Sequence, residues 1–445
     1  MKRSAWRYLW SAQDIRRKLL ITLGLLALYR LVSHVPVPGV DRAALVNIIN
    51  RGGAGGTLVG LLDLLSGGTV SQFSVLAMGV YPYITAQIIL QLLVPIIPAL
   101  QKRMEEDPRE GQKWMEKWTY ILAVPMDALQ AIGQINIFSS LAQGQIIKNF
   151  GFTGSSLLPT LAIIISMTAG TMFAIWLGEL ISEYGIRNQG LSLIIFAGIV
   201  ARIPSNIGAV LADQQNRYFL LALLIIVTVL TIFAIVYVQQ GRRNVPVMYP
   251  GRRIGNRMSM PVKGTLPLMV NMAGMIPLIF AQSLLTFPAI IASFFARSGA
   301  AWVASTATSI QNLFSPGNNL YEILYFLMVV AFTFFYTNVL FTQQNYGENL
   351  KRVGAQIPGV SRGAPTQKYL TRVLSRITLP GALFLGIVAI LPWLLGLVFP
   401  MGRSISLLLV TSAGLLIVVG VVRDAFFNIE AELKLHGYDE ALLVR

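Results

Sequence analysis

The chain has 445 residues, 55% of them hydrophobic and only 12% charged, with a formal net charge of +16. A soluble domain carries about 25% charged residues because its surface faces water, so the low charge excludes an ordinary soluble domain. The sequence holds no cysteine and only two histidines, which excludes a disulfide framework and argues against a zinc hydrolase. The positive balance fits either nucleic-acid binding or the positive-inside rule of membrane proteins.

Ten apolar blocks of helical length predict ten membrane-spanning helices, numbered spans 1 to 10. Such runs approach the ~20 residues that cross a bilayer, whereas a β-barrel would show alternating strands of ~10 residues. The predicted fold is an all-α polytopic membrane protein. The spans cover residues 19–35, 73–99, 118–138, 155–181, 191–211, 218–238, 267–294, 319–342, 376–399 and 404–422.

The distribution of Lys and Arg predicts the orientation of the spans. The basic segment before span 1 is similar to the start of a signal peptide, but no small-x-small cleavage site follows it, and residues 35–39, VPVPG, end the span. We therefore expect a retained helix with a cytoplasmic amino end. The predicted cytoplasmic segments then hold 26 Lys and Arg and the outer loops hold 6, which favours two cytoplasmic termini; the other three lie within the spans.

Three segments between the spans have features that topology alone does not explain. Residues 241–266 and 343–375 are long, basic and rich in Pro and Gly. They fit docking surfaces for an acidic partner, although solvated loops that only enforce orientation explain the same pattern. Residues 57–65, TLVGLLDLL, lie between glycines and are too short to cross a bilayer. They predict a re-entrant half-helix shielded from lipid by protein, with an amphipathic helix on the outer surface as the alternative.

Five long stretches closely resemble the SecY/Sec61-alpha family of protein-conducting channels, in the same order over nearly the whole chain. They are GVYPYITAQIILQLL (79–93), GTMFAIWLGE (170–179), LSLIIFAGIV (191–200), LPLMVNMAGMIPLIFAQS (266–283), and FFYTNVLF (334–341) followed by PGVSRGAPTQKYL (358–370). The resemblance implies the pore-forming subunit of a bacterial channel that passes unfolded secretory proteins and releases membrane-protein helices sideways. It implies neither an enzymatic activity nor a cofactor.

The resemblance also implies an internal architecture of two inverted five-helix halves, residues 1–215 and 216–445. It assigns a plug to the half-helix at about 57–65, formed by Leu61, Leu62, Asp63, Leu64 and Leu65. Asp63 favours a watery cavity over lipid, because a charge at the membrane centre costs at least ~2.5 kcal/mol.

A ring of branched apolar side chains would close the pore, because such a ring excludes water and ions yet fits itself around a passing chain. The resemblance places this ring at Val80, Ile84, Leu191, Ile195, Ile279 and Ile417. By spacing alone, the two pairs four residues apart also suit ordinary core or lipid-facing packing.

The resemblance implies a lateral gate between spans 2, 3, 7 and 8, with polar positions at Thr85, Gln130 and Asn271. Asp127 departs from the family, which is apolar there, and we expect it to join the gate because it lies three residues before Gln130. Ordinary interhelical hydrogen bonding is the alternative for each of these residues.

The implied partners are SecE and SecG in the membrane, the SecA motor ATPase, the translating ribosome, and unfolded preproteins with signal sequences. The implied location is the bacterial inner membrane, where the chain lies in the lipid bilayer. Two details depart from the family: the usual loop arginine has either moved by one position to Arg362 or been lost, and the turn 185–190 is one residue longer. The expected motor and ribosome contacts are Arg252, Arg253, Arg257, Lys351, Arg352, Arg362 and Lys368.

The main alternative function is a secondary transporter of small solutes. A transporter would place acidic residues near the membrane midplane, but only Asp127 lies mid-span, whereas Glu179 and Glu322 lie near span ends. An intramembrane enzyme would need a Ser/His or paired-Asp constellation within the spans, which is absent. The missing GxxxxGK[ST] motif excludes a self-powered pump of the P-loop type.

Overall fold

The structure is a computed structural model that describes residues 13–40, 73–94, 96–141, 147, 150–151, 154–212, 217–250, 253–254, 257–258, 262–295, 301–314, 318–398 and 402–435. Its helices are α1 (Gln13–Val32), α2 (Tyr81–Leu93), α3 (Pro98–Glu106), α4 (Pro108–Leu141), α5 (Leu157–Tyr184), α6 (Gly190–Ala212), α7 (Arg217–Gln240), α8 (Ile276–Phe295), α9 (Ala301–Leu313), α10 (Asn319–Gln344), α11 (Tyr346–Arg352), α12 (Ala364–Val398) and α13 (Gly402–Leu435). Its strands are β1 (Arg242–Tyr249), β2 (Arg253–Ile254), β3 (Arg257–Met258) and β4 (Val262–Met269).

Each predicted span overlaps a long helix. Spans 1 to 10 correspond in order to α1, α2, α4, α5, α6, α7, α8, α10, α12 and α13. Within the described ranges, six helices are long and apolar enough to cross a membrane alone. The pair α2 and α3, which meet at 97°, raises that number to seven. The predicted all-α polytopic membrane fold is confirmed.

Several predicted span boundaries were wrong, for two physical reasons. Span 7 begins at Ile276 rather than at 267, because the chain up to Met269 forms strand β4. Span 9 begins at Ala364 rather than at 376, and span 10 continues to Leu435. These helices extend past their apolar parts into charged turns, whereas hydropathy marks only the part of a helix that suits lipid.

The first basic loop is a β-hairpin rather than an irregular loop. Strands β1 and β4 pair antiparallel, from Arg242 opposite Met269 to Tyr249 opposite Val262. Val245 and Val247 are buried while their neighbours along β1 are exposed, which is the period of two that a half-buried strand requires.

The hairpin and the second basic loop form one unit with its own core. The Met248 amide donates to the Gln356 carbonyl at 2.8 Å, and the Gln356 amide donates to the Met248 carbonyl at 2.9 Å. One apolar cluster joins the two segments and contains Val245, Val247, Leu268, Phe341, Leu350, Ala355, Ile357, Leu370 and Leu374. We call β1–β4 together with residues 341–374 the basic unit.

The largest apolar cluster lies among the long helices and draws residues from both predicted halves, including Leu177 of α5, Leu278 of α8 and Ile417 of α13. The proposed division near residue 215 lies outside the described residues, since 213–216 are not among them, and so does the predicted plug at 57–65. Both stay predictions.

Candidate pore and lateral seam

The six predicted ring residues belong to one apolar cluster, in which four are buried and the other two pack against it. They are Val80 just before α2, Ile84 in α2, Leu191 and Ile195 in α6, Ile279 in α8 and Ile417 in α13. Four helices, two from each predicted half, therefore bring branched apolar side chains together. The cluster contains many more residues than these six, so the lining of a passage by this subset stays a prediction.

Thr85 and Gln130, both predicted for the gate, are in contact. The Gln130 side-chain amide donates to the Thr85 hydroxyl oxygen at 3.3 Å, and the Thr85 hydroxyl donates to the Tyr81 carbonyl at 3.0 Å. Both side chains are buried. This bond joins α2 to α4, which lie in the same predicted half, so it holds one side of the gate together rather than closing it.

A lateral seam runs where α8 packs against α2 and α4. Among the described residues, one hydrogen bond and one longer hydroxyl contact cross it. The Tyr81 hydroxyl of α2 donates to the Ser283 carbonyl of α8 at 3.3 Å. The Ser293 hydroxyl of α8 lies 3.3 Å from the Gly133 carbonyl of α4, but it donates mainly to the Ile290 carbonyl of its own helix at 2.6 Å. Both distances are long for a hydroxyl donor, whose usual range ends near ~3.0 Å. The seam is therefore joined by weak bonds.

Gly133 allows a close approach across the seam. A Cβ atom added there would lie 2.4 Å from Ile290 Cγ2, a separation that side chains do not tolerate. The missing side chain lets α4 and α8 pack closely, as small residues do at helix interfaces in membranes. Neither Gly133 nor the Tyr81–Ser283 bond was predicted from the sequence, although a glycine inside span 3 was a usable signal.

Asn271 lies in the turn that precedes α8, not within that helix as span 7 predicted. Its side-chain amide donates to the Gly274 carbonyl at 3.0 Å, and its side-chain oxygen accepts from the Gly274 amide at 3.0 Å. Gly274 has φ of +65°, a conformation that glycine adopts freely. The buried Asn271 side chain thus shapes the turn that leads from the basic unit into α8, and its predicted role in the gate stays a prediction.

Asp127 is fully buried and faces α5. One carboxylate oxygen accepts from the Thr171 hydroxyl at 2.8 Å, and the other has no hydrogen-bond partner among the described residues. The contact ties α4 to α5 within one predicted half. The structure therefore places Asp127 on the same helix as Gln130 with a hydrogen bond to α5, and its predicted role in the gate stays a prediction.

The seam retains unused hydrogen-bonding atoms. Among the described residues, Gln130 Oε1 and Ser283 Oγ are buried without a protein partner, as are both polar side-chain atoms of Gln134. Buried polar atoms normally find partners. The closed seam thus contains buried polar atoms that the described residues leave without a hydrogen-bond partner.

The predicted docking residues fall on the basic unit. Arg253 and Arg257 lie in the short strands β2 and β3 at the hairpin tip, and Arg252 lies outside the described residues. In the second segment the side chains of Lys351, Arg352, Arg362 and Lys368 are exposed. A cleft of about 610 Å³ beside the start of α12 is lined by Lys368, Arg372, Gln367 and Glu348, among others.

A contact between α1 and α13 was not predicted. The Lys18 ammonium pairs with the Glu432 carboxylate across 414 positions of the sequence. Beside it, the turn 185–190 contacts both helices: the Ile186 amide donates to the Thr22 hydroxyl oxygen at 3.3 Å, and the Asn428 side-chain amide donates to the Arg187 carbonyl at 3.1 Å. The turn that leads into α6 is therefore joined to both α1 and α13.

The fold and these contacts define a class of protein, a polytopic helical membrane protein with an apolar central cluster and a polar lateral seam. A family model described as SecY matches residues 74–426. Proteins described as "Protein translocase subunit SecY" are 35% identical in Streptomyces scabiei (98% of this chain, 99% of that protein) and 37% identical in Chlamydia muridarum (98% and 97%). A third, in Mycobacterium bovis, is 37% identical (96% of each chain).

Two solved structures have the same fold. One is described as "The structure of a protein conducting channel" (TM-score 0.62, 18% identity, 95% of this chain and 94% of that chain). The other concerns the plug domain of the SecY protein (TM-score 0.60, 19% identity, 95% and 94%). This chain belongs to the SecY family, and the resemblance seen in the sequence is confirmed.

Proposed function

We propose that this chain is the central pore-forming subunit of a protein translocase, which passes unfolded secretory proteins across a membrane and releases membrane-protein helices sideways into it. The observation that carries the proposal is the SecY family match over residues 74–426, within which all six ring residues share one apolar cluster. Family membership favours this function over a secondary transporter of small solutes. We propose that the chain acts as a channel and not as an enzyme.

The ring would separate protein passage from ion leakage. Side chains such as Ile84 and Ile195 carry no polar atoms to replace the hydration shell of an ion, so a narrow constriction lined by them excludes water. An unfolded chain can still pass, because apolar side chains contact any sequence without requiring a particular hydrogen bond. The ring would then close around the guest chain by ordinary side-chain contact.

The seam between α8 and the pair α2 and α4 would be the lateral gate. Two polar contacts cross it among the described residues, Tyr81 to Ser283 and Ser293 to Gly133, and both are long. Hydrogen bonds between helices in a membrane average ~0.6 kcal/mol, so these two do not prevent the helices from parting. The unused polar atoms of Gln130 and Ser283 would be available to a guest segment when the seam opens.

The basic unit would receive the partner that supplies energy, namely the SecA motor ATPase or the translating ribosome. Its exposed cations, including Lys351, Arg362 and Lys368, form a positive surface that would steer an acidic partner towards it. SecE and SecG would be the membrane partners. The Lys and Arg distribution supports both termini in the cytoplasm, and the bacterial relatives support an inner-membrane location.

The test is reconstitution of the full chain with SecE and SecG in lipid vesicles, followed by addition of SecA, ATP and a radiolabelled preprotein. We expect the preprotein to become protected from external protease, and we expect no protection with a preprotein whose signal sequence is deleted. Uptake of small solutes by the same vesicles, without preprotein protection, would establish the transporter alternative and refute the proposal.

A further inference from the structure

Helix α9 lies on the opposite membrane face from the basic unit, because α8 begins beside strand β4 and ends where α9 follows. It packs against α8. The whole stretch 298–321, which includes α9, contains no charged residue. A loop surrounded only by water normally carries charges, so this composition indicates a less polar environment.

The exposed surface of α9 is divided into two flanks. Ala307 faces the protein, and Trp302 is 75% exposed. At 100° per residue, one flank presents Trp302, Thr306, Ile310 and Leu313, and the other presents Ser305, Thr308, Ser309 and Asn312. All eight side chains are exposed. One flank is therefore apolar apart from a single threonine, and the other is entirely polar.

The hydroxyl groups of α9 donate to carbonyls of the same helix. The Ser305 and Thr306 hydroxyls donate to the Trp302 carbonyl at 3.3 and 2.7 Å, the Thr308 hydroxyl donates to the Ala304 carbonyl at 3.0 Å, and the Ser309 hydroxyl donates to the Ser305 carbonyl at 2.9 Å. A helix whose hydroxyl donors are satisfied internally can lie where little water is available.

The apolar flank continues a lipid-facing surface. Ile291 and Phe295 are exposed near the end of α8 that leads into α9, and Leu320 and Ile323 are exposed near the start of α10 that follows it. Apolar side chains exposed on spanning helices face acyl chains. The flank of α9 lies between these two exposed helix ends in the sequence and shares their apolar character.

We propose that α9 is an interfacial helix whose apolar flank lies in the boundary between headgroups and acyl chains of the leaflet opposite the basic unit. Tryptophan is enriched at this depth, because its ring is apolar and its N–H needs a polar partner. Helices of this kind carry one apolar and one polar face and lie in the plane of the membrane. Since α9 packs against α8, the lipid boundary would contact an element attached to the seam helix.

The absence of cysteine from the chain allows a direct test. Single-cysteine variants of the full chain, assembled with its membrane subunits in phospholipid vesicles, would carry an environment-sensitive fluorophore. Trp302→Cys and Ile310→Cys report on the apolar flank, and Ser305→Cys and Asn312→Cys are the matched controls on the polar flank. Quenching is measured with nitroxide-labelled phospholipids and, separately, with iodide, on vesicles permeabilised to iodide.

We expect the two apolar-flank probes to lose most of their fluorescence to the lipid quencher and little to iodide, and the polar-flank probes to show the reverse. Equal iodide quenching of both flanks would overturn the proposal, because α9 would then lie in water. Protection of the apolar flank from both quenchers would also overturn it, because protein would then cover that flank. Preprotein transport by the same vesicles tests the proposed function separately, so the two failures are distinguishable.

Discussion

Replacing Gly133 with alanine should open the lateral seam. The added Cβ would lie 2.4 Å from Ile290 Cγ2 and 3.4 Å from Ile290 Cβ, whereas non-bonded carbons sit about 3.5–4.0 Å apart. Ile290 is β-branched, so it holds essentially one rotamer within α8 and cannot turn its methyl group aside. The overlap is therefore relieved chiefly by moving α4 away from α8.

The size of the effect follows from the cost of overpacking. Adding a methyl group to a well-packed core costs about 1–3 kcal/mol. This cost falls on the closed seam, because an open seam no longer brings Gly133 and Ile290 together. A bias of ~1–3 kcal/mol corresponds to a shift of about 5–150-fold in the equilibrium between closed and open states.

The assay measures the export of preproteins with defective signal sequences, together with ion conductance of the resting channel in planar bilayers. Both should rise in Gly133→Ala. Gly24→Ala in α1 is the matched control, because a Cβ at Gly24 meets nothing within 4 Å while the helix-propensity change is the same. The double variant with Ile290→Ala removes the clashing methyl group and should show less than the sum of the single effects. The reasoning would be refuted if export and conductance in Gly133→Ala equalled those in Gly24→Ala. It would also be refuted if the effects of Gly133→Ala and Ile290→Ala simply added in the double variant.

Two further predictions concern the ring and the contact between α1 and α13. Serine at three ring positions should let water into the constriction and so raise the ion conductance of the resting channel. Serine at exposed positions of α7 such as Ile225 should leave the conductance unchanged. A triple variant whose resting channel conducts no more ions than the original chain would contradict the ring assignment. The ring positions are Ile84, Ile195 and Ile417. Lys18→Glu should slow preprotein transport, because it places two carboxylates together, and adding Glu432→Lys to the same chain should restore the rate. Transport is measured as protease-protected preprotein per minute. If the double variant stays slow, the ion pair does not contribute to transport.

The sequence predicted the spans well, because crossing a bilayer imposes a long apolar run that any single sequence displays. The hairpin of β1 and β4 was missed, because Pro246 lies in its centre and its buried positions, Val245 and Val247, are too few to give a clear alternation. Basic composition also marked the segment as a loop. The helical extension at the start of α12 was missed for a related reason, since water-facing helical turns carry no hydropathy signal.

The candidate site was predicted only in part. Thr85 and Gln130 were assigned together from the family resemblance, and the structure joins them at 3.3 Å. The Tyr81–Ser283 bond and the close approach at Gly133 could not be derived in the same way, because they depend on how α8 is rotated against α2 and α4. One sequence gives the apolar period of each helix but not the rotation of two helices against each other.

The proposed halves are held together by weaker contacts at the seam than at the side where α1 meets α13. This difference predicts how the halves would separate. The seam at α8 is joined by long, neutral hydrogen bonds, such as Tyr81 to Ser283 at 3.3 Å. On another side α1 meets α13 through the Lys18–Glu432 ion pair, and α6 packs against α7, the next helix in the chain. Charge-assisted bonds are about twice as strong as neutral ones, and a continuous chain does not separate. The halves would therefore separate at the seam and pivot about the other side. It follows that Lys18→Glu should slow transport while the resting channel stays tight, whereas Gly133→Ala should leak while transport continues.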